Sequence, residues 1–171
     1  MKKITTLCLA FICILSSCSK DDDQGSHISG DIVGNWIGTE MTYEGTIETE
    51  VYGVPVESDF TGEAFDISTE LTFSENPNTL VSEGTYSVEI EYDLEGVKKI
   101  ETIEDLSFLG SGTWEMDGDT LWGENERGAY QAKIHKLTEN ELVIGIVQTE
   151  DVLIGGTMAV GTVRVTAKYV R

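Results

Sequence analysis

His135 is the one histidine in the stretch 32–171, and no cysteine occurs beyond residue 18. That pair of facts bounds the chemistry. A Ser–His–Asp triad needs a serine and a carboxylate brought to the imidazole in space, and no Gly-x-Ser-x-Gly nucleophile elbow is present. A cysteine–histidine pair has no cysteine to use in this stretch. His135 also alternates with Ile134, which turns its imidazole toward solvent. Zinc wants several cysteine or histidine ligands, and one histidine does not supply them. Calcium takes oxygen ligands. Asp117, Asp119, Glu124 and Glu126 cluster in sequence, but they do not follow an EF-hand loop, and strand alternation scatters their side chains. Gly110-Ser111-Gly112 and Gly155-Gly156 do not precede helices, so phosphate cradling is unsupported. The abundance of Asp and Glu leaves a carboxylate dyad as the enzymatic arrangement still open. The chain therefore reads as a non-enzymatic protein with no cofactor and no metal.

Cys18 offers chemistry of another kind. The chain opens on Met1-Lys2-Lys3, and Ile4 to Leu15 is mostly apolar. That length suits a signal-peptide core and falls short of the roughly 20 residues a membrane-spanning helix needs. Ser16-Ser17-Cys18 follows. The arrangement resembles the lipobox of bacterial lipoproteins, with an ordinary signal peptide cut nearby as the other reading. The resemblance implies cleavage of residues 1–17, between Ser17 and Cys18, and lipid on the new N-terminal cysteine. Each buried methylene of such a lipid contributes about 0.8 kcal/mol, so several acyl chains anchor firmly without crossing the bilayer. Residues 18–31, "CSKDDDQGSHISGD", have little to bury and are expected to be a solvated tether in which His27 has no role. Ser19 to Asp23 is similar to the acidic export signal of Bacteroidetes surface lipoproteins. The implied location is the outer membrane, on the cell surface.

The sequence carries a formal charge of −20. Without residues 1–17, which hold two lysines and no acid, 9 basic residues face 31 acidic ones, a charge of −22. Nucleic acid and anionic lipid surfaces are poor partners for such a surface. With no cysteine left to pair, stability must come from a core, and residues 32–171 suffice for one domain.

These residues must be positioned by strands, because the apolar pattern has period two. Tyr86, Val88, Ile90 and Tyr92 share one face of "TYSVEIEYD". Val163, Val165, Ala167 and Tyr169 oppose Arg164, Thr166 and Lys168. Ile67, Leu71 and Phe73 line up, as do Leu142, Ile144 and Ile146. Glu75-Asn76-Pro77-Asn78, Glu95-Gly96, Asp117-Gly118, Glu139-Asn140 and Gly155-Gly156 punctuate the runs as turns. The spacing predicts about eight to ten strands, near 33–44, 46–53, 65–75, 79–92, 97–106, 110–117, 119–125, 129–138, 141–149 and 158–170. Short turns between consecutive strands describe an antiparallel meander. A meander this long rolls into a barrel or folds into two sheets, and closure removes its edges. The expected fold is all-β, an up-and-down barrel with no C-terminal helix.

Gly34-Asn35-Trp36, in "IVGNWIGTEMTYEG", resembles the Gly-x-Trp that opens lipocalin and lipocalin-like domains, including small Bacteroidetes lipoproteins. The later "GTWEMDGDTLWGEN" and "YQAKIHKLTENELVI" resemble hairpins of the same domains. The middle lipocalin motif, Thr-Asp-Tyr, is absent. The resemblance implies that Gly34 turns the chain under a barrel and that Trp36 plugs its closed end. It further implies a basic residue of the last strand over the indole, Arg164 or Lys168, with Arg164 preferred. Tyr43, Tyr52, Phe73, Tyr86, Tyr92, Trp114 and Trp122 are candidates to line a cavity, or else to fill the core. Two functions follow from these alternatives. One is a tethered binding module holding a small apolar ligand in the barrel. The other is a filled barrel whose surface, or the segment 53–65, meets another protein.

Overall fold

The computed structural model describes residues 27–51, 54–94, 96–154 and 157–171. Among them every regular element is a strand: β1 (His27–Ile28), β2 (Gly34–Val51), β3 (Val54–Phe65), β4 (Glu70–Ser74), β5 (Thr79–Glu83), β6 (Tyr86–Leu94), β7 (Val97–Leu106), β8 (Gly112–Asp117), β9 (Thr120–Asn125), β10 (Gly128–Leu137), β11 (Glu141–Ile154) and β12 (Thr157–Val170).

Period-two patterning puts one side of each run in the core. In β4, Leu71 and Phe73 are buried; in β12, Val165, Ala167 and Tyr169 are. β2 needs one extra device. Trp36 and Tyr43 stand an odd number of residues apart, so a regular strand would point them to opposite faces. The β2–β12 ladder slips between Tyr169↔Gly38 and Lys168↔Glu40, a bulge that turns both rings inward. The break expected near residue 45 is absent, since Gly45 pairs with both Val163 and Phe60, and the two short strands expected at 33–44 and 46–53 are one long strand.

Strands β2 to β12 form eight antiparallel runs. β3 and β4 follow one another along the same flank of β2, Thr42 facing Glu63 and Ile37 facing Glu70. β6 and β5 continue that order, with β6 on β3 and β5 on β4. β7 pairs with β6, and β8 with β5. Three runs therefore bend, at 66–69, at 84–85 and at 107–111. The first two bends are tied together: Ser68 N–H donates to the Thr85 carbonyl at 2.9 Å, and Thr85 N–H donates to Ser68 Oγ at 3.0 Å. β9 to β12 complete the meander, and β12 returns to pair with β2 from Val170↔Ile37 to Val160↔Glu48. The result is a closed eight-stranded antiparallel barrel, β2-β4-β5-β8-β9-β10-β11-β12, with β3, β6 and β7 raising its wall on one side.

Two expectations change here. The segment expected between strands at 53–65 is itself regular: Val54–Phe65 is strand β3, paired with β2 over 54–63 and with β6 over 60–65. The solvated tether does not run to residue 31 either. His27 and Ile28 pair in parallel with Lys136 and Leu137 of β10, and Ser29 N–H donates to the Leu137 carbonyl at 2.8 Å.

Candidate functional site

The barrel is stoppered at the end where β2 begins and β12 finishes. Trp36 is fully buried, and its indole N–H donates to the Ile32 carbonyl at 2.7 Å. A guanidinium covers the ring at 4.0 Å from its centroid, and it belongs to Arg171. Arg164, the expected cation, lies elsewhere. It points outward from β12 and pairs with Glu44 at 2.7 Å, because the alternation that buries Val165 exposes its neighbour. Lys168 is on the same outer face, 3.5 Å from Glu141. Residue 171, one past the strand, escapes the alternation and folds back under the barrel. There Arg171 Nη2 donates to the carbonyls of Asp31 at 2.6 Å and Val33 at 2.7 Å. Gly34 makes room for it. Its φ of +130° disfavours any side chain, and a Cβ would stand 3.3 Å from the guanidinium.

Above the plug the interior is packed. Phe73 and Trp114 meet edge to face, 5.6 Å between centroids. The Trp114 indole N–H is shared between the carbonyls of Ser74 and Thr79. Both rings are core and neither reaches the cavity. The bend at 107–111 dips inward: Leu109 is buried, and the Phe108 ring lies 6.2 Å from that of Tyr169.

Beyond this floor the barrel opens into a cavity of about 490 Å³. Its walls come from β2, β3, β6, β7, β10, β11 and β12, and most of its lining is apolar, including Ile47, Phe60, Ile90, Ile103 and Val163. Of the seven aromatics considered from sequence, Tyr43, Tyr86 and Tyr92 line it. Trp122 does not: it is half exposed on the outer face of β9, because its neighbour Leu121 takes the inward position. Tyr52 lies outside the described residues. Phe60, Phe108, Tyr130 and Arg127 were not singled out from sequence. Tyr130 continues the inward alternation of Ala132 and Ile134, a readable signal; Arg127 sits in a hairpin turn and carries none.

The wall has a notch. Among the described residues β7 pairs with β6 alone, and the β10–β11 ladder runs only between Lys133↔Gly145 and Leu137↔Leu142. The short β9–β10 hairpin leaves a low rim there, which carries Asn125 and Arg127 opposite the bend at Ser107.

Polar side chains also line the cavity, Gln148 of β11 among them. The Tyr43 and Tyr86 hydroxyls share a short hydrogen bond. Burial pushes both phenols up; Tyr43 is raised further by its bond to Tyr86, whereas that bond and the Arg127 charge pull Tyr86 back. The Tyr92 hydroxyl donates to Glu101 at 2.8 Å; burial and that carboxylate push Tyr92 up to about 12. Burial alone pushes Tyr130 up to about 12, and its hydroxyl has no hydrogen-bond partner in the structure. Tyr130 lies flat over Gly123, where a Cβ would meet the ring carbon Cζ at 2.1 Å.

The residues weighed for catalysis and metal binding do not converge. His135 is exposed and lies over Gly145 on the outside of the barrel. Asp119 pairs with Lys133. Among the described residues no group of three or more His, Cys, Asp or Glu side chains gathers as metal ligands would. Cys18 lies outside the described residues.

A closed antiparallel barrel, plugged at one end by a Gly-x-Trp and hollow at the other, has the build of barrels with room for one small molecule inside. The family model for the lipocalin-like domain matches residues 32–144, and the chain belongs to that family. No curated protein and no solved structure matches the chain.

Proposed function

We propose that this protein binds a small, mainly apolar ligand in the upper half of its barrel. The observation that supports this reading is the cavity of about 490 Å³ with mostly apolar walls and several polar side chains. That size and lining fall within the range of small-molecule sites. The other reading from sequence, a solidly filled barrel, fits the lower half of the molecule but not the upper.

The proposal includes the anchor. Lipid on Cys18 tethers the barrel to the bacterial outer membrane, at the cell surface, with residues 19–26 as the spacer. The support is the sequence pattern around Cys18.

Each part has its test. Titrating the Cys18→Ser protein with a fatty acid, a long-chain alcohol, a sterol and haem should give saturable one-to-one uptake of at least one. Flat titrations with all four would sink the binding reading. For the anchor, mass spectrometry of the membrane-extracted protein should find Cys18 as an acylated N-terminus. An unmodified N-terminus at another residue would remove it.

A further inference from the structure

We propose that the ligand is an amphiphile with a carboxylate head, held at the notch by Arg127 with Ser107 and the Tyr86 hydroxyl, its tail lying in the apolar barrel. This rests on the binding function just proposed and specifies its ligand.

The first argument is what Arg127 does not do. In this chain acids outnumber bases by nearly three to one. Among the described residues, Lys98, Lys133, Lys136, Arg164 and Lys168 each lie against a carboxylate; Lys99 does not, but it is exposed on β7 and does not line the cavity. Arg171 is engaged under Trp36. Arg127 lines the cavity with no carboxylate in ion-pair range. Its side chain makes one hydrogen bond, from Nη2 to Ser107 Oγ at 3.0 Å. A guanidinium carries five N–H donors in a fork that matches a carboxylate. Most of that fork is free, at an exposed rim where a charged head keeps contact with water.

The second argument is a count of protons. The Tyr43 and Tyr86 hydroxyls hold two protons and share one bond. Either oxygen can be the donor across it, so one proton of the pair remains to donate onward, and Tyr86 is the member of the pair within reach of the Arg127 charge. Ser107 accepts from Arg127 and likewise keeps a proton to give. The groups at this end are therefore donors in surplus, and they suit an acceptor bearing negative charge.

Glu101 sets the direction. Its carboxylate accepts from Tyr92 and stands five residues back along β7 from Leu106, away from the Arg127 rim of the notch. It repels an anionic head, which leaves the notch as the favourable end.

The test compares decanoate, 1-decanol and decyltrimethylammonium below their aggregation concentrations, by calorimetric titration of the Cys18→Ser protein and its Arg127→Gln and Arg127→Lys variants. Decanoate should bind about ten-fold or more tightly than decanol. Arg127→Gln should weaken decanoate far more than decanol and so remove that advantage, while Arg127→Lys should retain part of it. Added salt should shrink the advantage. Equal affinities for decanoate and decanol, indifference of decanoate to Arg127→Gln, or a preference for the ammonium ligand would overturn the carboxylate assignment while the cavity reading stands. If none of the three binds, both readings fall. Arg127 is exposed, so unchanged thermal unfolding of the variants shows that the fold is kept.

Discussion

Arg171 makes three contacts with one guanidinium: the face of Trp36 and the carbonyls of Asp31 and Val33. It thereby fastens the end of β12 to the segment that enters β2. Arg171→Ala should lower stability by about 1–3 kcal/mol, read as a shift in the urea midpoint at constant slope. Arg164→Ala removes an exposed pair with Glu44 and should change it by less than about 1 kcal/mol. Equal effects would mean that the plug contributes no more than a surface ion pair. The tyrosines supply a second prediction at this scale. Tyr43, Tyr86, Tyr92, Tyr130 and Tyr169 are all raised, chiefly by burial, with Tyr92 and Tyr130 at about 12. An unfolded tyrosine ionises near pH 10. Below that pH both states are neutral and nothing is gained or lost. Above it the unfolded chain binds fewer protons than the folded one, so stability falls as pH rises. Absorbance titration at 295 nm should show these phenols ionising late, together with alkaline unfolding. Ordinary titration of all tyrosines near pH 10 in a folded protein would contradict their burial.

At the scale of elements, alternation was legible and its interruptions were not. The faces of β4, β6, β11 and β12 follow from every-second-residue patterning, since each has one dry side. β3 does alternate, Val56, Phe60 and Ala64 against Glu57, Asp59 and Glu63, but Ser58 and Gly62 thin its apolar face. The bulge near Thr39 and the bends at 66–69, 84–85 and 107–111 leave no such mark, because they depend on what the neighbouring strand does. The same reason hid Arg127 and Arg171: a turn residue and a residue beyond the last strand belong to no pattern, and their partners are remote in sequence. Strand β7 carries a prediction. Its residues are almost all exposed, and it pairs along one edge, whereas β12 is flanked by β2 and β11. Hydrogen exchange should therefore find β7 amides opening well before those of 163–169 in β12. Equal protection would show that the β7 edge is covered in solution. Gly123 gives another. Gly123→Ala sets a methyl group against the Tyr130 ring and must displace it into the cavity. The expected outcome is weaker ligand binding in calorimetry with the far-ultraviolet strand signal kept; unchanged affinity would place Tyr130 outside the binding volume.

For the molecule as a whole, closure serves two ends. Eight runs joined through β12 and β2 leave no free edge around the lower barrel, where Trp36, Phe73, Trp114 and Tyr169 fill the interior. The bends in three runs then let β3, β6 and β7 rise past the packed floor and enclose open space. The barrel class could be read from sequence because a long meander with one apolar face has few ways to bury it. Whether its interior was open could not, since the same aromatic residues serve a filled core or a lining equally well. Calorimetric titration of the Cys18→Ser protein and its Val163→Trp variant with 1-decanol addresses that point most directly. Val163 lines the cavity, and an indole there occupies the space a ligand needs. The account predicts one saturable site that weakens or vanishes in the folded variant. No saturable site in the parent protein, or the same affinity in both, would contradict it.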